Sequence, residues 1–106
     1  MFASIRTYRF ASGSMDDLMH RVDRDFADGL AREPGFVGYQ VVATGPDTLM
    51  SISLFDTRED AEHSTELAAQ WVADDLADFG IARMGAMTGE VMVSRAAAAM
   101  LEPAHH

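Results

Sequence analysis

Trp71, the one tryptophan in the chain, stands where spacing brings chemical groups together. Projected at about 100° per residue, Ser64, Trp71 and Asp75 stack along one edge of a helix running from Asp60 to Phe79. Ala61, Ala68, Val72, Leu76 and Phe79 fill the apolar sector beside them, while His63, Glu66, Gln70 and Asp74 point toward water. A hydroxyl, an indole and a carboxylate on the rim of a core form a candidate site wall. Trp71 either stacks a flat aromatic ligand or closes the helix–sheet core. Asp75 either is desolvated enough to accept a substrate proton or turns to water at the helix end. Ser64 either hydrogen-bonds a ligand or lets a strand approach closely. Asp75 and Trp71 are therefore the expected catalytic residues, and Ser64, Trp71, Tyr39, Tyr8 and Arg6 the expected substrate-binding set. The last three line either a cleft or a barrel between two subunits.

Other chemistries find no footing. The chain has no cysteine, which removes disulfides, thiolate catalysis and sulfur-ligated metals together. His20 and His63 fall on polar helix faces, His105 and His106 are terminal, and no histidine or carboxylate pair has metal-ligand spacing. Gly85 and Gly89 do not lead a strand into a helix, so no phosphate loop is expected, and no serine sits in a G-x-S-x-G elbow. Neither metal nor organic cofactor is expected. The eight methionines read as soft core filling. A net charge of −9, with every basic residue an arginine, argues against nucleic acid, which needs a basic surface. MFASIRTYRF is neither a signal peptide nor a membrane span, so the expected compartment is the cytoplasm.

The elements that must position these residues follow in order. Phe2 to Phe10 alternates with aromatic and β-branched residues and reads as a strand. Ser14 caps a helix whose Met15, Leu18, Met19, Val22, Phe26 and Leu30 form one buried stripe. Glu33-Pro34-Gly35 ends it. Phe36–Thr44 and Thr48–Phe55 form a hairpin about Gly45-Pro46-Asp47. Neither strand has one clean polar face, so something covers the second side. Asp56 with Glu59 forms a capping box for the second helix, with Thr57 as the alternative cap. A glycine-spaced loop then holds Arg83 and Met84, Met87 to Arg95 is the fourth strand, and Ala96 to Leu101 adds a helical turn before a tail at 103–106. With 106 residues there is room for one domain, residues 1–96, followed by a C-terminal tail, 97–106. The order predicts an α+β, ferredoxin-like βαββαβ fold: a four-stranded antiparallel sheet with two helices on one face. The other, semi-apolar face predicts a homodimer packed sheet to sheet as a barrel.

Glu33-Pro34-Gly35-Phe36-Val37-Gly38-Tyr39, Ser51-Ile52-Ser53-Leu54-Phe55, Asp60-Ala61-Glu62-His63-Ser64 and Ala68-Ala69-Gln70-Trp71 resemble the antibiotic biosynthesis monooxygenase family. The likeness spans residues 2–95. It implies a dimeric α/β barrel of ferredoxin-like subunits, with a substrate cleft between helices and sheet and Trp71 on its wall. Some members are cofactor-independent oxygenases of polycyclic phenols; others degrade haem. The former use an asparagine where Leu67 stands and a tyrosine that falls at Ala77. The latter use a first-strand asparagine and a histidine where Gly80 and Ile81 stand, and this chain has no asparagine at all. The resemblance thus implies a cofactor-independent monooxygenase acting on a small aromatic or polycyclic phenol-like substrate. The alternative is a non-catalytic homodimeric module that binds a small apolar ligand.

Overall fold

The computed structural model describes residues 1–97. Four strands, β1 (Phe2–Arg9), β2 (Phe36–Ala43), β3 (Thr48–Phe55) and β4 (Ala82–Glu90), form one antiparallel sheet in the order β2-β3-β1-β4. The first helix begins at Met15–Arg21 and runs through a π-helical segment, Val22–Ala27, into Asp28–Leu30. The second helix is Arg58–Asp75, followed by a 3₁₀ turn, Ala77–Phe79. Both helices lie on one face of the sheet, as the ferredoxin-like order requires. No helix among the described residues is long and apolar enough to cross a membrane.

The π segment has a packing reason. Leu18, Val22, Phe26 and Leu30 are all buried, at a constant spacing of four. In an α-helix that spacing overshoots a full turn by about 40° at each step. The wider π turn removes the drift, so Phe26 and Leu30 stay over the sheet instead of rotating toward solvent. Regular α-helical projection of this stripe does not show it.

The strand faces are the inverse of a simple apolar-in pattern. On β1 and β3 the side under the helices carries Ser4, Arg6, Tyr8, Leu49, Ser51, Ser53 and Phe55, all buried. The opposite side carries Ile5, Met50, Ile52 and Leu54, each half-buried, continued by Met87 at 67% exposure. Hydroxyls and a guanidinium lie inside, and the more uniformly apolar surface faces out.

Three boundaries differ from the sequence-based expectation. Thr57, not Asp56, is the second helix's N-cap: its hydroxyl accepts from the Asp60 amide at 3.1 Å. Ser14 does the same for Asp17 at 3.1 Å, as expected. The second helix ends at Asp75 rather than Phe79, because Leu76 leaves helical geometry at φ −119°, ψ 18°. Phe79 is nonetheless buried, held where its carbonyl accepts from the amides of Ala11 and Ser12 at 2.9 and 3.0 Å. The fourth strand spans Ala82–Glu90, not Met87–Arg95. Pairing with β1 draws the glycine-spaced segment into the sheet, and Met84 bulges out where Tyr8 pairs with Arg83 and Thr7 with Gly85. The expected turn beyond Ala96 and the terminal tail lie, from residue 98 on, outside the described residues.

Candidate functional site

Two buried clusters meet beneath the helices. One gathers Tyr8, Phe10, Leu18, Val22, Leu49, Leu76 and Phe79; the other gathers Phe26, Leu30, Phe55, Ala61 and Ala68. Tyr39 and Trp71 pack against both. Between the clusters lies a small, partly open cleft of about 30 Å³. Its floor is Arg6, Tyr8, Leu49, Ser51, Tyr39 and Val41 from the sheet; its roof includes Phe26, Ala68, Trp71 and Val72 from the helices. Among the described residues, no aspartate or glutamate lines it. The site is therefore an apolar chamber with aromatic walls and one cation.

Trp71 is half-buried and forms a wall, not a plug. It lines the cleft on one side and, on the other, an open groove of about 310 Å³ bordered by Asp25, Gly29, Glu33, Gln70 and Asp75. Phe26 shares both cavities and leans on the indole with centroids 5.1 Å apart. Tyr39 meets Phe26 edge-on at 5.7 Å. Burial pushes the Tyr39 phenol well above its ordinary value, against the pull of the nearby Arg6 guanidinium, so it stays neutral and can donate a hydrogen bond.

Of the expected set, Arg6, Tyr8, Tyr39 and Trp71 come together around the cleft. Ser64 and Asp75 do not. Ser64 is fully buried, but its hydroxyl donates to the Ala61 carbonyl at 2.6 Å, which ties it to its own helix. Asp75 is exposed on the last helical residue, in the groove outside Trp71, and its backbone carbonyl accepts from Arg21. Helical projection placed its carboxylate inside the apolar sector. The helix ends there, and the side chain meets solvent.

Arg6, expected in a cleft or a barrel between subunits, lies in the cleft floor. It is wholly inaccessible, and its terminal nitrogens donate to Ser4 Oγ at 2.7 Å and Ser53 Oγ at 2.9 Å. Ser4 in turn shares a hydrogen bond with Thr65 of the second helix. Sequence reasoning missed Ser51, Phe26 and Arg83. Ser51 was signalled by the i, i+2 run of Leu49, Ser51, Ser53 and Phe55, which sets it on the same strand face as a buried aromatic. Arg83 lies over the Tyr8 ring at 5.6 Å and donates to the Tyr8 hydroxyl at 3.2 Å and the Thr65 carbonyl at 3.1 Å. Its place in β4 was hidden by the glycines around it.

The fold defines a ferredoxin-like subunit with a cleft between helices and sheet, and the sequence supplies the family. The model of the antibiotic biosynthesis monooxygenase family matches residues 1–71, so the chain belongs to that family. An asparagine-to-alanine variant of SnoaB, a cofactor-independent oxygenase from Streptomyces nogalater, has a similar fold. It superposes with a TM-score of 0.64 at 10% identity, covering 88% of this chain and 94% of that one. A dimeric ferredoxin-like protein from an uncultured marine organism gives 0.63 at 15% identity, over 92% and 100%. An arginine-to-serine variant of MhuD, with two manganese protoporphyrin IX bound per active site, gives 0.64 at 19% identity, over 92% and 100%. At these identities the likeness is one of fold. Among curated proteins none matches the chain significantly.

Proposed function

We propose that the chain is a homodimeric, cofactor-independent monooxygenase acting on a small aromatic, phenol-like substrate in the cleft between helices and sheet. The observation that carries this reading is the chamber itself, walled by Phe26, Trp71, Tyr39 and Tyr8 and lined mostly by apolar side chains. An electron-rich substrate with an activated CH₂ group, such as the anthrone nucleus, needs no external reductant. Once deprotonated it gives its electrons to dioxygen directly. One oxygen atom becomes a new carbonyl on that carbon, and the other leaves as water with both hydrogens. The protein then has to exclude solvent, hold the ring and favour the ionised form. Family membership and the fold shared with SnoaB support the reading.

A volume of about 30 Å³ is too small for a ring, so side chains around the cleft must shift to admit one. Dimerisation uses the outer sheet face, where Ile5, Met50, Ile52, Leu54 and Met87 present an apolar surface that a second copy would cover. The fold shared with a dimeric ferredoxin-like protein supports that arrangement. A second reading, a binding module without turnover, is favoured by the absence of any carboxylate in the cleft wall.

Oxygen uptake with anthrone and with dihydroquinones, run beside Trp71 fluorescence, tests both. Saturable quenching with oxygen consumption supports the oxygenase. Quenching without consumption supports the module. No quenching by any member of the panel would overturn the cleft as the ligand site.

A further inference from the structure

Arg6 and Ser51 are register partners on β1 and β3, and each holds a buried polar atom without a partner among the described residues. For Arg6 it is Nε; for Ser51, 3% exposed, it is Oγ. Both residues line the cleft. The rest of the guanidinium is satisfied by neutral acceptors, Ser4 and Ser53. Among the described residues no carboxylate lies within ion-pair distance of it: the described ion pairs involve Arg9, Arg21, Arg24, Arg58 and His63. The Tyr39 phenol beside it is held neutral by burial. Hydroxyls solvate a buried cation but do not cancel its charge, and an uncompensated buried ion disfavours folding. Among the described residues, no counterion answers this buried charge.

We propose that Arg6 Nε and Ser51 Oγ form an anion-binding notch, so that the ligand of this cleft carries a negatively charged oxygen on a flat apolar body. The oxyanion accepts a charge-assisted hydrogen bond from Nε–H and a second from the Ser51 hydroxyl, and the ring lies against Phe26 and Trp71. A water molecule would satisfy the hydrogen bonds, but only an anion neutralises the charge. A neutral isostere leaves the cation buried and unpaired, and this makes charge the feature selected most strongly. The inference rests on the cleft being the ligand site; it does not depend on oxidation. Aromatic carboxylates and ionised phenols share the required chemistry.

The experiment is isothermal titration of the full chain with benzoate and with benzamide, which differ in charge but hardly in shape. Benzoate is expected to bind at least about tenfold more tightly. Ser51→Ala is expected to weaken benzoate about three- to tenfold, and Arg6→Gln to erase the preference. Should Arg6→Gln fail to fold, the wild-type comparison and Ser51→Ala still decide. 4-Nitrophenol distinguishes the two sources: a bound fraction more ionised than the free dye adds phenolates to the class, and binding of benzoate alone restricts it to carboxylates. Equal affinity for benzoate and benzamide, or a benzoate affinity indifferent to Ser51→Ala, would overturn the notch. Equal affinity together with anthrone-dependent oxygen uptake would leave the oxygenase reading standing. Charge preference without oxygen uptake would do the reverse.

Discussion

The indole of Trp71 leans on the ring of Phe26 with centroids 5.1 Å apart and planes tilted by 32°, and this pair separates the inner chamber from the outer groove. Phe26 reaches that position because the first helix widens into a π turn over Val22–Ala27. A local departure from α-helical geometry thus sets the position of a wall built by the opposite helix.

Replacing the indole tests the wall. Trp71→Ala joins the two cavities and removes packing from both core clusters, so it is expected to lower stability by about 2–4 kcal/mol. That is somewhat less than a fully buried tryptophan would give, because Trp71 is half-exposed. Trp71→Phe keeps an aromatic wall and should lose less than about 1.5 kcal/mol. Urea unfolding followed by far-UV circular dichroism reads both. A loss in Trp71→Ala below about 1 kcal/mol would show that the indole does not support the core.

Tyr39 makes stability depend on alkaline pH. Burial raises its folded-state pKa above the unfolded value of about 10, with Arg6 opposing but not reversing the shift. The folded state therefore keeps a proton that the unfolded chain releases, and stability falls as pH rises. The contribution is complete below about pH 10 and is lost progressively above it. Tyr39→Phe is expected to flatten this decline between about pH 10 and 11. Denaturant midpoints measured across that range check it, and an identical slope in both proteins would refute it.

The element order, both helix stripes, the hairpin and the Ser14 cap were legible because each rests on local periodicity or one capping bond. The floor of the cleft was legible only in part: Arg6, Tyr8 and Tyr39 were expected there or in a subunit barrel, and Leu49, Ser51 and Val41 were not. The alternation on β3 left open which face turns inward, and the structure buries Leu49, Ser51, Ser53 and Phe55. The reason is Arg6: once a guanidinium lies under the helices, its neighbours must be acceptors, and serines on both sides provide them. That constraint crosses two strands, so no window within either strand shows it. The same holds for β4, where Arg83 and its glycines become strand only by pairing with β1, and for the second helix, whose periodicity runs on past the point where Leu76 breaks it.

Two glycines should respond to alanine in opposite directions. Gly13 has φ +84°, and a Cβ there would lie 2.7 Å from Cε1 of Phe79. Gly13→Ala is therefore expected to destabilise by about 1–3 kcal/mol, from backbone strain and displacement of a buried ring. Gly29 lies in the helical segment Asp28–Leu30 with open space around it, so Gly29→Ala should stabilise by about 0.5–1 kcal/mol. Thermal melts suffice, since each kcal/mol moves the midpoint by about 4–8 °C in a domain near this size. Equal shifts in the two variants would contradict the geometry.

The edge defined by Ser64, Trp71 and Asp75 divides by burial, and mutation should divide it the same way. Ser64 is buried with its hydroxyl committed to the Ala61 carbonyl, so it acts by being small where helix and sheet approach. Ser64→Ala is expected to change stability by no more than about 1 kcal/mol. Ser64→Leu should destabilise by about 1–3 kcal/mol or more, because no neighbouring space receives the added carbons. Asp75 contacts Arg21 through its backbone carbonyl, which Asp75→Asn preserves, and its exposed carboxylate stands outside the chamber. Ligand affinity and oxygen uptake should therefore survive Asp75→Asn and Ser64→Ala and fail in Trp71→Ala. A loss of oxygen uptake in Asp75→Asn, with binding intact, would return the proton-accepting role to the groove side of Trp71.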